Sequence, residues 1–205
     1  SDFILLRTED DASEFPVEED FWVAGAEFAD SAGADIINSS LGYFQFDDPS
    51  LNYKYSDLDG NSTFISVAAD IAASRGMLVV CSAGNERSGS WKYIIAPADA
   101  DSVLAVGAVD RNGVISSFSS SGPTVDRRIK PDIVAQGVAM SFQVKDIVES
   151  GSGTSYSCPV IAGLCACLMQ AVPGATACEI ISAVRSSSDR YHIPDSLYGF
   201  GIPDM

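Results

Sequence analysis

The amino-acid sequence predicts an α/β domain built on a mostly parallel sheet, and three observations carry that prediction. Strand-forming runs stand at 3–6, 34–41, 77–81 and 103–109, with shorter ones at 133–135 and 147–148. Those at 77–81 and 103–109 are apolar throughout rather than alternating, as strands covered on both faces are. Segments of helical periodicity separate the runs, the order that joins parallel strands through crossover helices. Two runs also end in small polar loops containing glycine, Ser39 to Gly42 and Ser82 to Asn85. Chemistry in open parallel sheets gathers at such strand exits.

The run 3–6, Phe-Ile-Leu-Leu, opens the chain as a short strand. Residues 18–33 then space Phe21, Trp22, Ala24, Gly25, Phe28, Ala29 and Ala32 as a helix does, with acids in the first turn and Gly33 as the stop. The strand 34–41 ends in Ser-Leu-Gly, and an acidic, tyrosine-rich loop runs to Asn61. Ser62 is placed as the cap of a helix that reaches Arg75 and closes at Gly76. The buried strand 77–81 leads into the 82–85 loop, and 103–109 precedes the turn signal Arg111-Asn112-Gly113. Pro159 reads as a first-turn proline of a buried helix whose run 160–172 carries no charge. A last helix covers 176–185. No repeat or linker interrupts the chain, so residues 1–205 read as one domain with apolar content for a core.

A net charge of −16 argues against nucleic acid and anionic membranes as partners. Much of the acid lies at Glu9, Asp10, Asp11, Glu14, Glu18, Glu19 and Asp20, read as a solvated face and helix start. No apolar stretch reaches transmembrane length, and no signal peptide opens the chain. Five cysteines, Cys81, Cys158, Cys165, Cys167 and Cys178, form no C-x-x-C pair. They are read as small buried hydrophobes in the thiol form.

Gly153-Thr154-Ser155, followed by Pro159, places a serine at the N-terminus of a buried helix. Unpaired N–H groups and the helix dipole favour developing negative charge there. In isolation the motif is simply a helix cap. Asn85 changes that reading: it closes a glycine loop directly after a buried strand, and its amide can donate to an oxyanion. The backbone N–H of Ser155 would be the second donor, and the chemistry so implied is acyl transfer.

Several segments together resemble the subtilisin family of serine peptidases. Gly153-Thr154-Ser155 with Pro159, Ala162 and Gly163 is similar to its nucleophile motif, and Ser82-Ala83-Gly84-Asn85-Glu86 to its oxyanion-hole segment. Asp35 to Gly42 resembles the substrate-binding strand. Phe118 to Pro123 and Lys130 to Ala135 match two structural signatures, and Tyr198 to Gly201 the closing segment. The resemblance implies a three-layer subtilisin-like fold from which the N-terminal strands of the family fold are missing. It implies Ser155 as nucleophile and Asn85 as oxyanion donor. Ser40, Leu41, Gly42, Ser82, Ala83 and Gly84 would then offer backbone edges to a peptide or protein substrate. Pro97 falls where the family has a proline near the specificity pocket, so Ile95 and Ala96 would shape that pocket and a cis bond is expected as an option. Tyr156 and Cys158 depart from the family's usual residues.

The resemblance also implies a triad in the order Asp, His, Ser, whose first two members would precede residue 1. The sole histidine, His192, lies in a polar tail. The chain therefore reads as the nucleophile-bearing part of a serine endopeptidase domain, inert alone, whose partner is the missing N-terminal segment. Unpaired strand edges would invite self-association. The alternatives are a non-catalytic peptide-binding module and an α/β-hydrolase using His192. No cofactor is called for. Calcium is an option at Asp57, Asp59 and Asn61 with Asp47 and Asp48, but no metal site is assigned. Family habit places such a protein outside the cell or in the cell envelope.

Overall fold

Four parallel strands in chain order make the sheet: β1 (Ile36–Ser39), β2 (Leu78–Ser82), β3 (Leu104–Val109) and β4 (Ile133–Gln136). The structure, a computed structural model, describes residues 1–204. Register aligns Ser39 with Cys81 and Ser82 with Val106, so β1 and β2 end side by side. Every residue of β2 and β3 is buried, which is why both runs are apolar without alternation.

Two helical layers cover the two faces. Helices α1 (Val17–Ala32) and α2 (Phe64–Ser74) bury Trp22, Ala29, Ile65 and Ala69 with Val79 and Cys81. On the other face α3 (Thr154–Ala171) and α4 (Ala177–Ser187) bury Cys158, Ile161, Ile180 and Val184 with Leu78, Val80, Leu104 and Val106. Alternate residues of β2 thus feed opposite cores, giving the expected three layers. Helix α3 has 18 residues of mean hydropathy 1.2, enough by length and composition to cross a bilayer, contrary to the sequence reading. Its inward side, Cys158, Ile161, Ala162 and Cys165, packs on the sheet.

Several expectations change. Residues 3–6 form no strand, and Phe3 and Leu5 are 87% and 91% exposed. Composition favours a strand there, but a strand exists only with a ladder partner, and none pairs with it among the described residues. Leu6 and Thr8 instead lie against Gly25 of α1. Thr63, not Ser62, caps α2, accepting from the Ser66 N–H at 3.3 Å. Ser62 binds Asp59. Pro159 is the sixth residue of α3 rather than a first-turn residue. An antiparallel hairpin, β5 (Met140–Val144) with β6 (Ile147–Gly151), stands apart from the main sheet, and the sequence showed only a fragment of β6.

Candidate active site

The exits of β1 and β2 meet the N-terminus of α3. After β2 the chain turns through Gly84 at φ +101°, a left-handed conformation suited to glycine. This turn aims the Gly84 N–H at Thr154 Oγ1, 3.2 Å away. Thr154 is fully buried, and both its N–H (2.9 Å) and its hydroxyl (3.1 Å) donate to Asn85 Oδ1. An N–H can only donate, so the amide oxygen of Asn85 must face it, leaving Nδ2 turned away. Thr154 is therefore the hub that orients Asn85. The sequence motif contained Thr154, but no reading of it assigned that task.

Ser155 is the second residue of α3 and is half-buried. Its Oγ donates to the Ser40 carbonyl at 3.1 Å, and Ser40 Oγ donates back to the Ser155 carbonyl at 3.2 Å. Neither the Ser155 N–H nor Asn85 Nδ2 has an acceptor among the described residues. Both free donors thus flank Thr154, Ser155 as its neighbour in the chain and Asn85 through its side-chain bonds, with no charged side chain among the groups that hold them. The hydroxyl at 155 and the amide at 85, singled out from sequence, are brought together.

Of the six expected substrate contacts, Ser40 is engaged with Ser155 through both its carbonyl and its hydroxyl, and the other five divide. The N–H and C=O groups of Leu41 and Gly42 have no partner among the described residues and form an open edge. Gly42 faces Ile95, and a Cβ there would stand 2.6 Å from the Ala96 carbonyl oxygen and 2.8 Å from Ile95 Cγ1. Ile95 also packs against Gly84, and the Ala96–Pro97 bond is cis. Ser82, Ala83 and Gly84, by contrast, are buried. Ala83 bonds Val106 and Ile95, and the Gly84 carbonyl accepts from Ser120. With those groups paired internally, Ala83 and Gly84 wall the site rather than offer an edge, which corrects the sequence reading.

Tyr156 stacks on Phe142 of the hairpin, ring centroids 5.4 Å apart, and so props β5 beside the site. Cys158 packs in the core, where burial pushes its thiol well above the ordinary range. Cys81 and Cys165 are also buried, whereas Cys167 and Cys178 are exposed, against expectation. His192 is exposed, and its segment is tied to the start of β4 through Phe200 to Asp132 and Val134 to Gly201. Ser155 lies at the opposite, carboxyl ends of the strands, so the α/β-hydrolase arrangement does not form.

The acidic residues are not all solvated. Glu18 and Glu19 are 2% and 1% exposed. Glu18 accepts from the Asp10 N–H at 2.7 Å, and Glu19 from the Tyr53 hydroxyl at 2.6 Å. Side-chain oxygens of Glu9, Glu14 and Glu18 lie within 4.8 Å of one another. Burial, with the charges of Glu18, Glu9 and Asp47, pushes Glu14 up to about 7. At the calcium candidate, Asp59 accepts from the N–H groups of Asn61 and Ser62, and Asp57 from that of Lys54. Those carboxylates close local turns.

Residues 17–201 match the model of the subtilase family. The chain belongs to that family. Among its subtilase relatives, subtilisin DY of Bacillus licheniformis is 36% identical over 178 residues, covering 86% of this chain and 57% of the relative. Serine protease AprX of Bacillus subtilis (strain 168) is 31% identical over 190 residues, covering 82% and 41%. The halolysin-like extracellular serine protease Nep of Natrialba magadii is 34% identical over 130 residues, covering 63% and 22%. The chain thus spans little more than half, or less, of these relatives. Among solved structures, a self-cleaved protease domain of PatA superposes with a TM-score of 0.71 at 25% identity, covering 91% of this chain and 64% of that one. A cold adapted subtilisin-like serine proteinase gives 0.67 at 22% identity, covering 91% and 59%. The subtilisin-like fold is shared with both.

Proposed function

We propose that this chain is the nucleophile-bearing part of a serine endopeptidase that cuts peptide bonds through an acyl-enzyme on Ser155. The observation that carries the reading is the pair of unpaired donors, Ser155 N–H and Asn85 Nδ2, joined through Thr154 at the helix end that bears the Ser155 hydroxyl. As the carbonyl of a peptide is attacked, its oxygen gains charge, and those donors receive it. The peptide lies along the open Leu41–Gly42 edge by strand addition. Ser155 Oγ must give up its proton to act, and a serine hydroxyl does so only to an adjacent base. His192 is at the wrong end of the sheet, so the base and its orienting carboxylate belong to polypeptide outside these residues, and the chain by itself is inert. The likeness to an extracellular relative supports export.

In the full protein a fluorophosphonate probe is expected to label Ser155, and Ser155→Ala to abolish both labelling and peptide hydrolysis. Undiminished hydrolysis by that variant would sink the assignment. A second reading, a module that holds peptides without cutting them, is favoured by the open edge standing independently of any base. It predicts peptide binding by a full protein that never takes up the probe.

A further inference from the structure

Pro159 leaves a gap in α3. In a helix each carbonyl accepts from the N–H four residues on, and proline has none. The carbonyl so deprived is that of Ser155. Ser40 Oγ fills the gap at 3.2 Å, across 115 residues of sequence. Its hydrogen is directed there because Asn38 Nδ2 donates to the same hydroxyl at 3.1 Å and occupies one of its lone pairs. The return bond, Ser155 Oγ to the Ser40 carbonyl at 3.1 Å, makes the contact reciprocal.

We propose that the Ser40 hydroxyl is a positioning residue for Ser155. It replaces the helix bond that Pro159 removes and fixes the backbone from which the Ser155 side chain projects. The resting hydroxyl and the peptide that carries it are thus held from β1 rather than from within α3. This assigns a task to the Ser40 side chain distinct from the backbone edge that follows it. Its catalytic consequence rests on the peptidase reading; the clasp itself does not.

The test compares Ser40→Ala, Ser40→Thr and Ser40→Ala/Pro159→Ala in the full protein. Amide exchange is read on the peptide spanning 153–159, with α4 as the internal control. Ser40→Ala is expected to speed exchange at Tyr156 and Ser157 about tenfold, the scale of one buried acceptor left unpaired. Threonine keeps the hydroxyl and is expected to restore the slow rate. Pro159→Ala is expected to restore it too, because residue 159 then supplies the missing N–H. Exchange unchanged in Ser40→Ala, spread equally into α4, or not rescued at 159 overturns the clasp whether or not the protein cuts peptides. With the clasp in place, a lower kcat at unchanged KM in Ser40→Ala supports positioning, and an unchanged kcat overturns it. A wild-type protein that hydrolyses nothing defeats the peptidase reading alone, and with it the catalytic task of Ser40.

Discussion

Two crowded groups of oxygen atoms stand at neighbouring places in this molecule and are held in opposite ways. At the ends of β1 and β2, Ser40, Asn85, Thr154 and Ser155 are neutral, and the donors of Thr154 and both serine hydroxyls have named acceptors. At the start of α1, Glu9, Glu14 and Glu18 bring three carboxyl groups within 4.8 Å, and the Tyr43 hydroxyl donates to Glu9 at 2.6 Å. The first group is insensitive to pH because nothing in it titrates near neutrality. The second is not, since releasing the Glu14 proton adds charge to a partly buried set. Geometry can be kept by hydrogen bonds alone where chemistry demands a constant arrangement. Carboxylates in the same space tie local structure to acidity.

The comparison sharpens most at Asn85. Asn85→Ala removes a donor from the neutral group and is expected to lower kcat of the full protein about 10²–10³-fold with KM little changed. A loss confined to KM would make Asn85 a binding group. A smaller effect is expected for Thr154→Val, which keeps shape but loses one bond to Asn85 and leaves the buried Gly84 N–H without an acceptor. Stability should fall by about 1–3 kcal/mol in urea unfolding, with kcat down roughly tenfold. No change in either would mean that the Thr154 N–H alone holds Asn85.

The smallest expected effect belongs to the acidic group. Glu14 is raised from 4.5 to about 7, so the folded state keeps its proton longer than the unfolded chain does. Its contribution is fully present below pH 4.5 and is lost as pH rises to about 7. Glu19, raised to about 7 by burial against the opposing Tyr53 bond, follows the same direction. The urea midpoint should therefore fall between pH 5 and pH 8. Glu14→Gln should remove part of that slope, about 1 kcal/mol after allowance for solvent screening. An identical slope in the variant would mean that Glu14 contributes nothing to it.

What the sequence revealed follows from range of interaction. Strands β2 and β3 were legible because burial on both faces writes itself into composition. Gly33 and Gly76 marked helix ends because a left-handed backbone selects glycine. Ser155 and Asn85 could be singled out because helix-start and strand-exit chemistry is local. The run 3–6 misled because apolar composition cannot report whether a neighbouring strand is present. Strand β5 was missed although Met140, Phe142 and Val144 alternate with Ser141 and Gln143, because its short pattern lies on a hairpin outside the core and buries no residue fully. Glu18 and Glu19 looked solvated because their partners, the Asp10 amide and the Tyr53 hydroxyl, are matched to them only by the fold. The tasks of Thr154 and the Ser40 hydroxyl depend on contacts made 70 and 115 residues away. Spacing along the chain has no access to those.

The cysteines are sorted by depth. Burial pushes Cys81 and Cys165 up to about 12, and Cys158 is raised as well, while Cys167 and Cys178 face water. Cys167 is twelve residues beyond Ser155 on α3, about 18 Å at 1.5 Å per residue. A maleimide dye or a solid support should therefore attach at the rear of the molecule and leave the cleft unobstructed, with no thiol needing to be engineered in.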